Sequence, residues 1–106
     1  MVDILLMGTT KFQEASMSVK IQIPTPLRLN TGGQAVVEVT ASTVGEALVK
    51  LIEAHPAMGS KLFVDGNIRQ YVNILVNDED VRYLENLATP AKEGDEVAII
   101  PAVAGG

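Results

Sequence analysis

The sequence contains no cysteine among its 106 residues. This absence excludes disulfide bonds, thiolate nucleophiles, zinc–thiolate sites and iron–sulfur clusters. There is one histidine, His55, so a histidine-rich metal site or a serine–histidine pair has no support in the sequence. His55 precedes Pro56 at a predicted helix end, where an imidazole can interact with the last carbonyl groups of the helix. Thiol and imidazole chemistry is therefore not expected.

Positive charge and long apolar runs are also scarce. Eight Lys and Arg residues stand against thirteen Asp and Glu residues, and the formal net charge is −5. This balance argues against binding to nucleic acid or to an anionic membrane surface, and it suits partners with a basic docking face. No segment approaches the roughly 20 apolar residues of a membrane helix, and the N-terminus lacks the basic region of a signal peptide. We therefore expect a cytoplasmic protein.

What the sequence does contain is enough apolar side chain for one hydrophobic core, since 47% of its residues are hydrophobic. A chain of this length forms one domain and not two. We predict a domain over residues 17–100, preceded by a disordered extension at 1–16 and followed by a flexible functional tail at 101–106. The alternative for the extension is that translation begins at Met17.

Alternating side chains predict a β-hairpin at the start of the domain. Apolar and polar residues alternate over residues 18–23, which is the pattern of a strand with one buried face. Pro24 and Pro26 follow and end that strand. The segment 30–33 contains two glycines that tolerate positive φ, and it predicts a reversal before a returning strand at 35–39.

A capping box predicts the main helix. Thr43 stands three residues before Glu46, so the threonine hydroxyl can accept from a first-turn amide while the glutamate reaches back. Apolar residues follow at helical spacing over 44–52 and form one stripe, which indicates that one face of the helix packs on a sheet. Pro56 ends the helix.

Further strands are predicted at 70–76 and 96–100. Between them we predict a short pairing strand that begins at Val81 and Arg82, and a single helical turn at 88–92. A tight turn at 93–95 precedes the last strand. A hairpin, a helix laid across one face and further strands together make an α+β domain.

The face of the sheet opposite the helix is a candidate interface. If Val72, Ile74 and Val76 face the helix, Leu75 points to the other side. By the same alternation one of the pairs Val97/Ile99 and Ala98/Ile100 must also face that side, and Val36 faces away from Val37. An outer face with Leu75, Ile100 and Val36 would form an apolar patch of the kind that marks a partner interface. The alternative is that residues 81–82 and the loops cover this patch. The acidic turn 78–80 is interpreted as a solvated loop or a docking contact, and not as a cation site.

The C-terminus is the most distinctive segment. Five small, uncharged residues follow Pro101, namely Ala102, Val103, Ala104, Gly105 and Gly106. Extended at about 3.3–3.6 Å per residue, residues 101–106 reach roughly 20 Å, enough to thread a narrow channel in another protein. The two terminal glycines lack a Cβ, so a partner backbone and a nucleotide can approach the carboxylate closely. The alternative is an ordinary frayed terminus.

The stretch from Glu93 to Gly106, EGDEVAIIPAVAGG, resembles the C-terminal signature of the ubiquitin-like sulfur carriers of the MoaD/ThiS type. The resemblance covers residues 17–106. Within the family, residues 72–82 and the ending 101–106 are most similar to the carriers that serve a cysteine synthase in actinobacteria. The resemblance implies a β-grasp fold, with a mixed sheet of four to five strands and one main helix across one face.

The resemblance also implies a mechanism at Gly106. An E1-like adenylyltransferase would use ATP to convert the Gly106 carboxylate to an acyl-adenylate, and a sulfur donor would displace AMP to leave a thiocarboxylate. Gly105 would give access to this site, and residues 101–104 would contact the partner along with the apolar patch. The chain would be a carrier and not an enzyme. It would have no cofactor of its own, because ATP and pyridoxal phosphate would belong to partner enzymes.

Other functions remain open at this level. The sulfur-accepting enzyme is a cysteine synthase in the preferred interpretation. The chain would otherwise be the small subunit of molybdopterin synthase, with its tail in the large subunit, or a protein modifier whose Gly106 forms isopeptide bonds with lysines. A plain binding module with an idle tail is the fourth possibility.

Overall fold

The structure is a computed structural model that describes residues 18–101, and a five-stranded mixed sheet forms its centre. The predicted extension at 1–16 and the residues 102–106 lie outside the described residues. Seven strands are present in this segment: β1 (Ser18–Gln22), β2 (Val36–Thr40), β3 (Phe63–Val64), β4 (Asn67–Ile68), β5 (Val72–Val76), β6 (Glu79–Asp80) and β7 (Glu96–Pro101). The large sheet has the order β2-β1-β7-β5-β6, and β3 pairs with β4 separately.

The last strand is the middle strand of this sheet. β7 runs parallel to β1 and antiparallel to β5, so each of its edges meets a neighbour. Val97 and Ile99 on β7 are almost fully buried, as are the alternate residues of the strands beside it. A strand paired on both sides and buried on one face is the most firmly held part of a sheet. The chain therefore leaves the domain from its best-anchored element.

Helix α1 (Val44–Ala54) begins where the capping box predicted. It packs against one face of the sheet, which we call the inner face. The Thr43 hydroxyl accepts from the Glu46 N–H at 3.1 Å. The Glu46 carboxylate bonds the Ser42 N–H at 2.8 Å, one residue earlier than the predicted capping box requires, and this backbone bond is the main cause of its lowered pKa. Four apolar residues of α1 are completely buried: Val44, Ala47, Leu48 and Leu51. The predicted α+β class is confirmed.

This cap gives a test of local stability. Replacing Thr43 by alanine removes the hydroxyl that satisfies the Glu46 amide, and we expect the free energy of unfolding to fall by about 1 kcal/mol. Urea denaturation followed by circular dichroism measures it. Thr25→Ala is the matched control, since Thr25 is exposed and its hydroxyl makes no hydrogen bond within residues 18–101. Equal unfolding midpoints for Thr43→Ala and the unmodified protein would contradict the role of this cap.

The segment between the main helix and β5 contains elements that the sequence analysis did not predict. A short helix, α2 (Met58–Leu62), buries Met58 and Leu62 completely. The hairpin of β3 and β4 follows, with Asp65 and Gly66 at its turn, both at positive φ (52° and 80°). An Asp-Gly pair is a known signal for a two-residue hairpin turn, and Val64 and Ile68 are the nearest apolar residues on its two sides, so the sequence did contain the information.

Two predicted short elements are wrong. The pairing strand expected at Val81 is instead β6, two residues earlier, because Asn77 and Asp78 both adopt positive φ and reverse the chain at once. Val81 begins a 3₁₀ helix. The helical turn expected at 88–92 lies earlier, at Asn86–Ala88. Pro90 disfavours a helical conformation in the residue before it, so this part of the chain is extended.

The chain after this 3₁₀ helix packs on the start of α1. The Ala91 N–H donates to the Ser42 carbonyl, and the Val44 N–H donates to the Thr89 carbonyl. Gly45 permits this close approach, since a Cβ there would lie 3.0 Å from the Leu87 carbonyl oxygen.

The predicted hairpin of β1 and β2 is confirmed, and its long loop contains a 3₁₀ helix, Thr25–Thr31. Within residues 18–101, no helix has the length and apolar character that a membrane span requires.

Candidate functional site

The tail begins where β7 ends. The predicted strand end at Ile100 is extended by one residue, because Pro101 still pairs with Val72 of β5. The Asn77 N–H donates to the Glu96 carbonyl, so the backbone N–H and C=O groups of the even-numbered residues of β7 point toward β5. The backbone nitrogen of Pro101 therefore points toward the side of β1. The pairing of β1 with β7 ends at Gln22 and Ala98, before Pro101. The absence of an N–H at Pro101 therefore costs no hydrogen bond between strands.

The predicted reacting groups lie just beyond this point. Gly105 and Gly106, together with Ala102, Val103 and Ala104, are outside the described residues. The five residues after Pro101 can span at most about 18 Å, so the structure of the domain limits where the terminal carboxylate can be. An active site that acts on the carboxylate must therefore come within about 18 Å of Pro101.

The outer face of the sheet, opposite α1, carries the predicted patch residues. Val36 (49% exposed) and Ile100 (44% exposed) lie on it, and Leu75 is half-buried there. The strand registers place Val36, Gln22, Ala98 and Leu75 in one row across four strands. Val36 is therefore three strand spacings, about 14 Å, from Leu75. The patch is divided: Leu75, Ala98 and Ile100 form its main part, and Val36 stands apart beyond Gln22.

The loops flank this patch at one edge. The Asp80 carboxylate accepts from the Arg82 backbone N–H (2.8 Å) and from two nitrogens of its guanidinium. The side-chain hydrogen bond from Arg82 is the main reason that the pKa of Asp80 lies below its usual value and that of Arg82 above it. Arg82 also donates to the Asn73 side chain at 2.6 Å, so it borders the patch beside β5.

The acidic turn does not form a metal site in this structure. One of its three carboxylates, that of Asp80, is already bound by Arg82, whereas Asp78 and Glu79 are exposed. Over residues 18–101 no group of three His, Cys, Asp or Glu side chains is arranged to hold a metal ion. Asp78 and Glu79 lie on the surface, and a docking contact at this turn stays a prediction.

A groove that the sequence analysis did not anticipate lies at the base of the tail. This tail-base groove has a volume of about 280 Å³, and its walls include Gln22, Ile23, Pro24, Arg28, Val36 and Ile100. Two of the predicted partner-binding residues therefore line it. The prolines near Arg28 indicated the end of a strand, but no periodicity in that segment could predict where the Arg28 side chain lies.

A second cleft, of about 350 Å³, opens between the β3–β4 hairpin and the 3₁₀ helices after β6. Its floor is apolar, with Ile68, Val72 and Val81, and polar side chains including Arg69 and Arg82 stand at its rim. The rim arginines are engaged within the domain: Arg69 bonds the Ser60 carbonyl and the Tyr71 hydroxyl, and Arg82 bonds Asp80 and Asn73. The cleft also approaches the origin of the tail, because Val72, which pairs with Pro101, is among its lining residues.

The domain with these features matches known proteins over most of its length. The ThiS family matches residues 21–106, which includes the Gly-Gly end. The sulfur carrier protein CysO of Mycobacterium tuberculosis is 46% identical over 94 residues, covering 85% of this chain and all of that protein.

Two solved structures are also similar. One is a chain in the crystal structure of the Amycolatopsis orientalis BexX/CysO complex. It has a TM-score of 0.78 and 40% identity, and the match covers 83% of this chain and 99% of that chain. The small archaeal modifier protein 1 of Methanosarcina acetivorans has a TM-score of 0.77 and 30% identity, covering 86% and 98%. The predicted family resemblance is confirmed. The chain belongs to the ThiS family and is a CysO-like sulfur carrier protein with the ubiquitin-like β-grasp fold.

Proposed function

We propose that this chain carries sulfur as a thiocarboxylate on Gly106 and donates it in cysteine biosynthesis. The observation that carries the proposal is the Gly105-Gly106 end itself, which only residues 102–104 separate from the central strand β7. The match to the ThiS family includes this end, and the similarity to CysO supports the cysteine branch. The lack of cysteine is consistent with this chemistry, because the sulfur is held on the main-chain terminus.

The chemistry has two steps, and neither needs a side chain of this protein. An oxygen of the Gly106 carboxylate attacks the α-phosphorus of ATP, pyrophosphate leaves, and an acyl-adenylate forms. A sulfur nucleophile then attacks the acyl carbon, and AMP leaves with its electron pair. Activation is required because a carboxylate is a poor electrophile. The thiocarboxylate is ionised at neutral pH and, like a thiolate, is a soft nucleophile.

The tail and the domain have different roles: the tail carries the reacting carboxylate, and the domain binds the partner. An E1-like adenylyltransferase supplies the ATP site, and a sulfur-accepting enzyme supplies pyridoxal phosphate. The small residues 101–104 fit a narrow channel in each partner, with the domain docked outside. The outer face around Leu75 and Ile100 is the docking surface, because it is apolar, exposed in part and adjacent to the end of β7. The chain itself acts as a carrier and has no cofactor of its own.

Intact mass spectrometry tests the central claim. After incubation with ATP, sulfide and the E1-like enzyme of the same organism, we expect the chain to gain about 16 Da, because one oxygen is replaced by sulfur at the acyl carbon that a nucleophile attacks. Omission of ATP should prevent the gain. An unchanged mass in the complete reaction would contradict the proposal. A stable complex with a molybdopterin synthase large subunit, and no cysteine adduct, would exclude the cysteine branch.

A second candidate function is protein modification. It is favoured by the likeness to the small archaeal modifier protein 1 over nearly the whole domain. In that case the activated Gly106 carboxyl group would form an isopeptide bond with a lysine amine. Conjugates of higher mass in cells, which disappear when Gly106 is deleted, would support this function. A thiocarboxylate without conjugates would support the carrier function.

A further inference from the structure

The tail-base groove exists because β1 and β7 separate. Their parallel pairing stops at Gln22 and Ala98. The next ladder bond would run from residue 24 to the Ile99 carbonyl, but Pro24 has no N–H and cannot make it. The Ile99 carbonyl is therefore left unpaired by β1, at a point where Ile99 lines the groove. The groove thus offers a backbone acceptor beside the start of the tail.

Arg28 supplies a positive charge to the same groove. Its Nε donates to the Ile23 carbonyl at 3.0 Å, which holds the guanidinium in place. No residue within 18–101 accepts from its two terminal nitrogens, and no carboxylate of that segment forms an ion pair with it. The N–H groups on these two terminal nitrogens can donate in parallel to the two oxygens of a carboxylate. A held cation is notable in a chain with a net charge of −5.

The size of the groove decides what can enter it. Its volume, about 280 Å³, lies below the range of about 300–1,000 Å³ that is typical of small-molecule sites. Pro24, Val36 and Ile100 make its walls apolar. The space therefore suits one apolar side chain of a protein partner, with Arg28 positioned to receive an acidic side chain next to it.

We infer that the groove is a docking notch for the adenylating enzyme, which inserts an apolar side chain and places an aspartate or glutamate carboxylate on Arg28. The inference rests on the proposed function. Charge complementarity selects an acidic group, and the position beside Pro101 selects a partner that must hold the domain while it acts on the terminus. A second copy of this chain is a poorer occupant, because two chains of charge −5 repel each other.

Steady-state adenylation kinetics test the inference. We expect Arg28→Glu to raise the KM for this chain by about 10- to 100-fold with kcat within about twofold, because the residue orients the complex and does not touch the reacting atoms. Arg28→Lys should have a smaller effect, since lysine keeps the positive charge and loses only the bidentate contact. Lys50→Glu is the matched control: it makes the same charge change on α1, on the other side of the sheet, and should leave KM unchanged.

Substitution of Arg28 also removes its hydrogen bond to the Ile23 carbonyl, so a second variant is needed that keeps this bond. Val36→Glu leaves that bond intact and places a negative charge at the mouth of the groove, so it should also raise KM. Unchanged KM in folded Arg28→Glu and Val36→Glu would overturn the inference. So would an effect seen only with the sulfur-accepting enzyme, or loss of a dimer in the variants. If the unmodified chain is not adenylated, the proposed function and the inference both fail, whereas normal adenylation of the variants overturns the inference alone.

Discussion

Deletion of Gly106 is expected to reduce sulfur loading by at least about 100-fold, because it withdraws the carboxylate from the reacting atoms of the partner. The shortened chain still ends in a glycine carboxylate, but this group lies one residue, about 3.5 Å, short of its normal reach. A misplacement of 1 Å can cost about 100-fold in rate when reacting atoms must lie about 3–3.5 Å apart. Intact mass spectrometry after incubation with ATP, sulfide and the E1-like enzyme measures the loss.

The controls for this deletion separate reach from stability. Thermal unfolding should be unchanged, since the deletion lies five residues beyond the last residue of β7. Gly106→Ala keeps the carboxylate in place but adds a Cβ, so we expect intermediate loading. Normal loading of the deletion variant would show that the terminal carboxylate is not the reacting group.

Substitution of Leu75 by glutamate should weaken binding to the activating enzyme by about 2–4 kcal/mol, or roughly 30- to 1,000-fold in Kd, if Leu75 is a central contact. Leu75 is half-buried on the outer face, in one row with Ala98, and a charge there would be desolvated in the complex. The domain should remain folded, because the side chain does not belong to the buried core. Isothermal titration calorimetry measures the change in Kd.

The neighbour of Leu75 on β6 decides which control is needed. Leu75 stands opposite Asp80, so a glutamate at position 75 places two acidic groups side by side and could lower stability for that reason alone. Leu75→Lys avoids this repulsion and should weaken binding as well. Val49→Glu introduces the same side chain at an exposed apolar site on α1 (51% exposed) and should bind normally. Unfolding of both Leu75 variants would contradict the outer-face position, and normal binding would contradict the docking role.

Periodicity predicted the regular part of the fold and failed where elements are short. The strands β1, β2, β5 and β7 and the helix α1 each repeat their pattern over at least five residues, and their predicted positions agree with the structure to within one or two residues. The strands β3, β4 and β6 contain two residues each, too few for any alternation to be visible. Turn residues set their positions: Asp65 and Gly66 in one hairpin, Asn77 and Asp78 in the other.

Candidate site residues divide in a similar way. The alternation within β5 and β7 predicted that one of the pairs Val97/Ile99 and Ala98/Ile100 shares the outer face with Leu75, and the structure places Ala98 and Ile100 there. It could not predict that Gln22 lies between Val36 and the rest of the patch, because that depends on the order of the strands. Arg28 was not predicted at all, since its position depends on the path of a 3₁₀ helix and not on a repeating pattern.

The sequence by itself determined the chemistry of the chain: a Gly-Gly terminus, no cysteine, an acidic surface and one amphipathic helix among strands. These properties are local, because they depend on residue type and on spacing within a few positions. Only the tertiary structure decided that β7 lies between β1 and β5, and that the tail therefore starts beside a groove containing Arg28. The reason is physical. Sheet pairing joins residues such as Gln22 and Ala98, and backbone hydrogen bonds between strands are the same for any side chain, so the sequence pattern specifies faces and not partners.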